Sequence, residues 1–435
     1  MPSGPSERQQ KIDRIVERVR ERLEAEWPEG ETDATGVEEI VSRIEREVLQ
    51  EVTEEMLREQ SQRRTGNQSP CGCGGTARYR KHTALEVVTL FGRVHVRRPY
   101  FYCSRCGEGH CPLDRQWGLG PGNTTPGVQD LITAVAAFEA YQYVPILLPR
   151  VRAQVHLGVK TIELIAQRLG RAVAPDPPPG YGAAQRPLAV AADGVIMPMR
   201  GGGKEARCGG VYEPYFNSGR TPADCAELRK EYFATLESRE TLMARLCARA
   251  AARRPGAEAV IAALGDGADW IWDGFAKHLP GRVEPGAPWA ADFYHVSERL
   301  GKIAPAMFGE SAAGKRAGQQ WREAQERELQ QWGPGKLLEA LAAWEPTTAA
   351  GQKVREDQLR YFRNQRERMN YPEYLRQGFP IGSGAVEGAC KHVVSDRFRG
   401  TGMRWKSKTA EPLLQVRAAL LTRPDLDLRR YAMAC

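Results

Sequence analysis

The sequence predicts an α/β protein: a mixed-sheet core with an all-α insertion, preceded by helices, a small cysteine-rich β unit and a second helical region. Three observations predict it. Apolar residues recur at helical spacing in the first 66 residues, and five of the ten cysteines crowd into residues 71–111. Beyond a proline-rich stretch, short apolar runs end in Asp-Gly and alternate with a helical pattern. The 435 residues allow several domains at roughly 100–200 residues each.

Composition narrows the class. Hydrophobic residues make up 41% and aromatics 8%, which excludes wholesale disorder. No uncharged apolar run approaches the ~18–20 residues that cross a bilayer. The first twenty residues are charged from Glu7 onward, unlike a secretory leader. A cytoplasmic address with no membrane partner is expected, and there clustered cysteines favour metal over disulfides. Residues 1–64 hold 11 basic and 17 acidic side chains, so the remaining 371 residues carry +14 of a chain whose net charge is +8. A basic body with an acidic arm suits a polyanionic partner, most simply DNA.

Taken in order, residues 1–66 read as a helical arm of two amphipathic helices. Ile12, Ile15, Val16, Val19 and Leu23 form one stripe, and Val37, Ile40, Val41, Ile44, Val48 and Val52 the other. Trp27-Pro28-Glu29-Gly30 breaks between them. Such a hairpin packs on its own chain or on a second subunit, and its acidity argues against gripping DNA. Residues 67–116 read as a zinc ribbon. Cys71 and Cys73 precede strand-like runs at 85–90 and 94–101, and Cys103 and Cys106 follow, so four thiolates can close one tetrahedral site. His110 and Cys111 are alternative ligands. Arginines and lysines outnumber acids here, which suits contact with phosphates.

Residues 117–175 are helical again. A helix is predicted over 128–141, and 151–170 fits a helix-turn-helix or an ordinary packing hairpin. The linker at 175–182 marks a boundary. After it, strands are predicted at 186–199, 207–216, 231–236, 257–264 and 288–294, with a helix at 240–254. Three strands, a helix, then a strand is the order of a ribonuclease-H-like core, here placed at 183–298. Residues 299–376 form the charged all-α insertion, with Trp321, Trp332 and Trp344 as core anchors. Residues 377–435 carry a last candidate helix and a basic tail.

Carboxylates at strand ends are the strongest chemical signal. Asp193 and Asp266 each end an apolar run and precede glycine, where packing alone explains an acid poorly. An Asp-Gly turn is the plain alternative. Glu387 follows Ile381-Gly-Ser-Gly-Ala-Val386. A capping box from Ser383 would place its acid at Val386, so capping does not account for Glu387, although a solvated pair with Lys391 does. Lys391, Arg397, Arg399, Arg404, Lys406 and Lys408 then form a basic stretch with Trp405 among them. Acid beside base suits phosphate chemistry, with the acids on metal and the cations on DNA. His295, three residues after Asp292, either steadies DNA near the site or bonds Asp292. Trp270 and Trp272 read as core.

These motifs carry a resemblance. Asp193-Gly, Leu264-Gly-Asp266-Gly-Ala-Asp-Trp270-Ile-Trp272, Asp292-Phe-Tyr-His295, Gly382-Ser-Gly-Ala-Val-Glu387 and Arg397-Phe-Arg-Gly-Thr-Gly-Met-Arg-Trp405 resemble, in order over residues 71–420, bacterial insertion-sequence transposases of the ISKra type. These belong to the Mutator-like group of DDE enzymes. The resemblance implies a ribonuclease-H-like core with Asp193, Asp266 and Glu387 as catalytic triad, Asp292 and His295 in support, and an all-α insertion before Glu387. Its partners are the element's terminal inverted repeats and target DNA, on which a homo-oligomer is expected. Three carboxylates suit two Mg²⁺ or Mn²⁺ ions, whereas the thiolates suit one structural Zn²⁺. Hydrolysis at the element end, then transesterification into target DNA, needs no nucleotide cofactor. Two other readings stay open: a non-catalytic DNA-binding protein derived from a transposase, and a ribonuclease-H-like nuclease without strand transfer.

Overall fold

The structure, a computed structural model, describes residues 7–62, 66–151, 155–173, 188–213, 230–254, 260–279 and 289–434. The expected linker at 175–182 lies outside the described residues, as do 186–187, 214–216, 257–259 and 288 from the predicted strands. The chain divides into two compact units, residues 1–172 with 427–435 and residues 173–426.

In the first unit, α1 (Glu7–Glu26) and α2 (Ala34–Gln62) form the predicted hairpin. Charge joins them more than the apolar stripes do. Arg18 and Arg22 pair with Glu51 at 3.1 and 2.7 Å, and Lys11 pairs with Glu59 at 3.3 Å. Ile12, Val16, Leu23, Val37 and Val41 of the stripes are exposed, while Ile44 is buried. An antiparallel sheet follows in the order β1 (Gln68–Pro70), β2 (Thr76–Thr89), β3 (Gly92–Tyr102), β4 (Gly109–His110). Val94 and Val96 point inward and Arg93, His95 and Arg97 outward, the alternation of a sheet with one covered face.

Next come α3 (Pro112–Gln116), α4 (Pro126–Phe138), α5 (Val144–Leu147) and α6 (Val159–Ala172). The helix-turn-helix expected at 151–170 is not formed by its described residues. Only α6 is a full helix there; α5 is a single turn continued by a 3₁₀ turn at Leu148–Val151. Residues 155–158, where the first helix would end and turn, are not helical. Instead α6 packs along α4, joining Val128 and Ile132 to Ile162 and Ile165. The chain's last helix, Arg429–Ala434, packs on α4 and α6, and the Leu428 N–H donates to Asp130 at 3.0 Å. The tail thus leaves the C-terminal segment in which the sequence placed it and completes the first unit.

The second unit is built on five strands: β5 (Leu188–Met199), β6 (Gly202–Tyr212), β7 (Lys230–Thr235), β8 (Ile261–Gly265) and β9 (Trp289–Ala291). Their order is β7-β6-β5-β8-β9. β5 pairs antiparallel with β6, and β6 with β7, while β5, β8 and β9 run parallel. Helices α7 (Arg239–Arg253) and α8 (Asp269–His278) cover one face, where Leu188, Val190 and Phe233 meet Leu242, Leu246 and Phe275.

The helical block covers the other face. It comprises α9 (Phe293–Phe308), α10 (Ala312–Trp332), α11 (Gly335–Ala343), α12 (Ala349–Gln365) and α13 (Tyr371–Arg376). Ala189, Ala191 and Leu264 share one core with Leu329, Leu337 and Phe362, so the block packs directly on the sheet. Trp321 and Trp344 pack against this core. Trp332 does not anchor it; at the end of α10 its side chain is 71% exposed.

The chain then forms α14 (Gly384–Gly388), a π-helical stretch (Ala389–Ser395), α15 (Asp396–Phe398) and α16 (Ser407–Thr422). α16 closes the exposed edge of β7. Thr422 accepts the Tyr232 N–H at 2.9 Å, Glu411 accepts the Leu236 N–H at 2.6 Å, and Gln415 donates to the Ala234 carbonyl at 3.0 Å. Among the described residues no helix is long and apolar enough to cross a membrane.

Candidate active site and metal-binding cluster

The sheet brings Asp193 and Asp266 together. Ala191 on β5 pairs with Leu264 on the parallel β8, and each acid lies two residues further along its strand direction. Two residues restore the same side of the pleat, so both carboxylates emerge side by side where the pairing ends. The Asp193 Oδ1 accepts its neighbour Gly194 N–H at 2.6 Å, and its Oδ2 faces the Cys390 thiol at 3.6 Å. Burial pushes Asp193 above the usual carboxylate range, and the charge of Asp266 acts in the same direction.

Asp266 turns the chain sharply. Its Oδ1 accepts the Ala268 N–H at 2.8 Å, and Gly267 adopts φ +103°. A Cβ on Gly267 would lie 2.7 Å from the Tyr361 ring, so glycine is required on both counts. From α12, Tyr361 donates to the Asp266 carbonyl and Gln365 to that of Gly267, each at 3.1 Å. The helical block therefore fixes the turn that carries the acid.

Asp292 plays a different part. It is 1% exposed, caps α9, and accepts the N–H groups of Tyr294 at 2.7 Å and His295 at 3.3 Å. Its second oxygen accepts the Ser383 N–H at 2.7 Å and the Ser383 hydroxyl. Both oxygens are thus committed to protein donors. The His295 Nδ1 lies 3.8 Å from Asp292, an ion-pair distance. Asp292 foremost, with Asp193 and Asp266, raises His295 to about 9, so its charge couples it to both acids of the sheet.

Glu387 is exposed on α14, which packs on β5 and β6. Cys390, on the same chain three residues later, is the group that reaches Asp193. No ion pair joins Glu387 to Lys391 among the described residues, so the solvated pair considered from sequence is not formed. Nor do Asp193, Asp266 and Glu387 converge to the spacing of a closed metal site. Among the described residues, only the four cysteines do so.

Of the basic stretch, Lys391, Arg399, Arg404 and Lys406 are exposed. Arg397 is a correction: it is 2% exposed, with its guanidinium 5.0 Å from the Trp405 ring centre, so it does not face phosphates. Trp405 is also held within the fold. Its ring lies 4.8 Å from that of Phe398, its indole N–H donates to the Phe398 carbonyl at 3.1 Å, and its backbone pairs with the end of β5. An arginine that stacks on aromatics buries readily, which counting charges along a sequence does not reveal.

In the first unit, Cys71 and Cys73 lie between β1 and β2, and Cys103 and Cys106 follow β3. Each pair sits on a tight turn completed by a glycine in the left-handed region, Gly74 at φ +78° and Gly107 at φ +76°. Their sulfurs all lie within 4.8 Å of one another, with Cys71–Cys106 at 3.6 Å and Cys73–Cys103 at 3.7 Å. Four sulfurs about 2.3 Å from a zinc ion stand about 3.8 Å apart, so this group can bind zinc. The backbone N–H of Cys106 helps pull the Cys103 thiol down to about 7, toward the thiolate a metal needs. His110 and Cys111 are not in the ligand set. His110 meets the Ser69 hydroxyl at 3.1 Å and stacks on Phe101, and Cys111 meets Thr83 at 3.8 Å.

Sequence reasoning missed Cys390, the clamp on Ser383, and Tyr361 with Gln365. The Gly-Ser-Gly run was a usable signal, because it puts one hydroxyl where the backbone turns into a helix. Tyr361 and Gln365 had none, since a contact spanning some 95 residues leaves no local pattern. No model of a known protein family matches this chain, and no curated protein matches it.

Proposed function

We propose that the chain is an insertion-sequence transposase of the DDE type, resembling the ISKra group, that cleaves element ends and joins them to target DNA. One observation carries this reading: Asp193 and Asp266 emerge side by side from the central parallel strands of a sheet ordered 3-2-1-4-5. That order, with the first three strands antiparallel and the last two parallel to the first, supports a ribonuclease-H-like core. The β1–β4 unit with its four cysteines is read as a zinc ribbon, and the cytoplasm as its place of work.

Asp193 and Asp266 offer hard carboxylate oxygens that would hold Mg²⁺ or Mn²⁺, with Glu387 as the third donor. The fit rests on the chemistry of the pair. Two neighbouring acids, one of them raised by burial and by the other's charge, are relieved by a divalent cation. Such ions, when bound, supply Lewis acidity for in-line attack on a phosphodiester. The protein's own groups do the positioning. Tyr361 and Gln365 hold the Asp266 turn, and Asp292 holds Ser383 and with it the start of the helix bearing Glu387. His295, raised to about 9, sets positive charge beside Asp193 and Asp266, where it would favour an anionic substrate.

The test uses duplexes carrying the inverted repeats that flank the gene, incubated with the full chain and Mg²⁺. Wild type should nick the ends, free 3′ hydroxyls and join them to a second duplex. Asp193→Asn, Asp266→Asn and Glu387→Gln should each lower both steps by orders of magnitude. Nicking without joining would make the protein a nuclease. A Glu387→Gln protein with near wild-type cleavage would remove Glu387 from the site.

A further inference from the structure

We infer that the second unit holds a groove that grips the sugar–phosphate backbone of duplex DNA, built from the tip of the β5–β6 hairpin and the loop before α16. The groove measures about 720 Å³ and is lined by residues 196 and 198–203 of the hairpin and by 399–402 and 404 of the loop. The two walls are fastened together. The Arg200 N–H donates to the Trp405 carbonyl at 2.8 Å, and the Trp405 N–H donates to Pro198 at 3.2 Å.

Three arginines stand on this groove: Arg200, Arg399 and Arg404, all exposed. Some surface arginines find acids, as Arg18 finds Glu51 and Arg376 finds Glu373. Among the described residues none of these three has a carboxylate partner, and no acid lines the groove. Three unneutralised cations around one concavity concentrate positive potential there. Between them the floor is glycine. Gly201, Gly202 and Gly402 have φ of +97°, +131° and +77°, and a Cβ on any of them would meet nothing within 4 Å. Bare backbone therefore faces open space, allowing the close approach that phosphates need.

The lining selects the ligand. A surface for single strands stacks bases on aromatic rings, and no aromatic residue lines this groove. Trp405 could have served, but it lies against Phe398. What remains reads charge and shape along a backbone, without base readout. Arg200 lies seven residues beyond Asp193, so at about 3.3 Å per residue the arginine end of the groove is roughly 20 Å from Asp193, while Ile196 at its near end is about 10 Å away. It is a separate holding point, and it deepens the transposase reading by naming how the duplex is held; its test needs no cleavage.

Binding of a labelled 20-base-pair duplex of arbitrary sequence to the full chain is measured by anisotropy across salt concentrations, beside a 20-nucleotide thymidine strand. The triple variant Arg200→Gln, Arg399→Gln, Arg404→Gln should weaken duplex binding at least tenfold at 0.1 M salt. It should also flatten the slope of log K against log salt by about 2.7, near 0.9 per lost phosphate. Thr401→Glu, an exposed change in the lining, should weaken duplex binding on an intact fold, which covers the case in which the triple variant unfolds. A slope changed by less than about one, or a loss confined to the thymidine strand, overturns the inference. Failure of end cleavage with the duplex slope as expected would instead count against the transposase reading alone.

Discussion

Asp292 and Ser383 lie 91 residues apart in sequence and meet inside the second unit, and breaking that contact should cost both stability and catalysis. Asp292 accepts two N–H groups at the start of α9 and two donors from Ser383, and both residues are buried. The helix cap is worth about 1 kcal/mol. Each bond from Ser383 to the Asp292 side chain is worth roughly 1.5–3 kcal/mol. Asp292→Ala should therefore destabilise the unit by about 4–7 kcal/mol. Ser383→Ala removes only the hydroxyl bond and should cost about 1.5–3 kcal/mol. In urea unfolding followed by tryptophan fluorescence, the two changes together should fall short of their sum by about 1.5 kcal/mol. End cleavage should fall with Ser383→Ala while duplex binding holds, because Glu387 follows Ser383 by four residues. A coupling below about 0.5 kcal/mol would refute the clamp.

Three further outcomes are expected. Purified protein should carry about one zinc, and Cys103→Ser should abolish it and unfold the β1–β4 unit, read by elemental analysis and limited proteolysis. Glu231 is fully buried and pairs with Arg249 and Arg253, so Glu231→Ala should cost about 3 kcal/mol in urea unfolding by leaving Arg249 without its acid and Arg253 with Glu213 alone. His295 is raised from 6.5 to about 9, so its contribution to stability should be full below about pH 6.5 and lost as pH climbs through about 9. NMR titration of its ring in EDTA should give that higher value, Asp292→Asn should lower it, and a value near 6.5 in wild type would contradict the placement of the three acids around it.

The two central strands of the second unit, β5 and β8, were legible because each carries an apolar run closed by Asp-Gly, a local signal. The same run explains why Asp193 and Asp266 could be singled out: an acid that closes a buried apolar run has few packing reasons to be there. The four cysteines were legible by spacing alone. What failed was reading exposure from residue type. Arg397 counted as surface charge yet lies among aromatics, and Trp332 counted as core yet lies in solvent. The stripes of α1 and α2 have helical period, but period does not say which partner covers the face. The clamp on Ser383 and the grip of Tyr361 on the Asp266 turn were illegible for a physical reason. They are long-range contacts, and hydrogen bonds between distant residues depend on how the chain returns, not on its local pattern.

The way the helical block is fastened also bears on how such a protein can vary. Phe293 donates its N–H to the Ile381 carbonyl at 2.8 Å, and Asp292 takes Ser383 beside it. The chain thus leaves the sheet and returns to it at nearly one point. The position of Glu387 is set by the five residues from Ser383 and is insensitive to the length of chain looped out before it. Helices within the block can lengthen, shorten or be replaced over evolution, provided the faces that cover the sheet and hold the Asp266 turn persist. In related chains the interval from Asp266 to Glu387 is then free to drift by tens of residues, whereas the interval from Ser383 to Glu387 stays fixed.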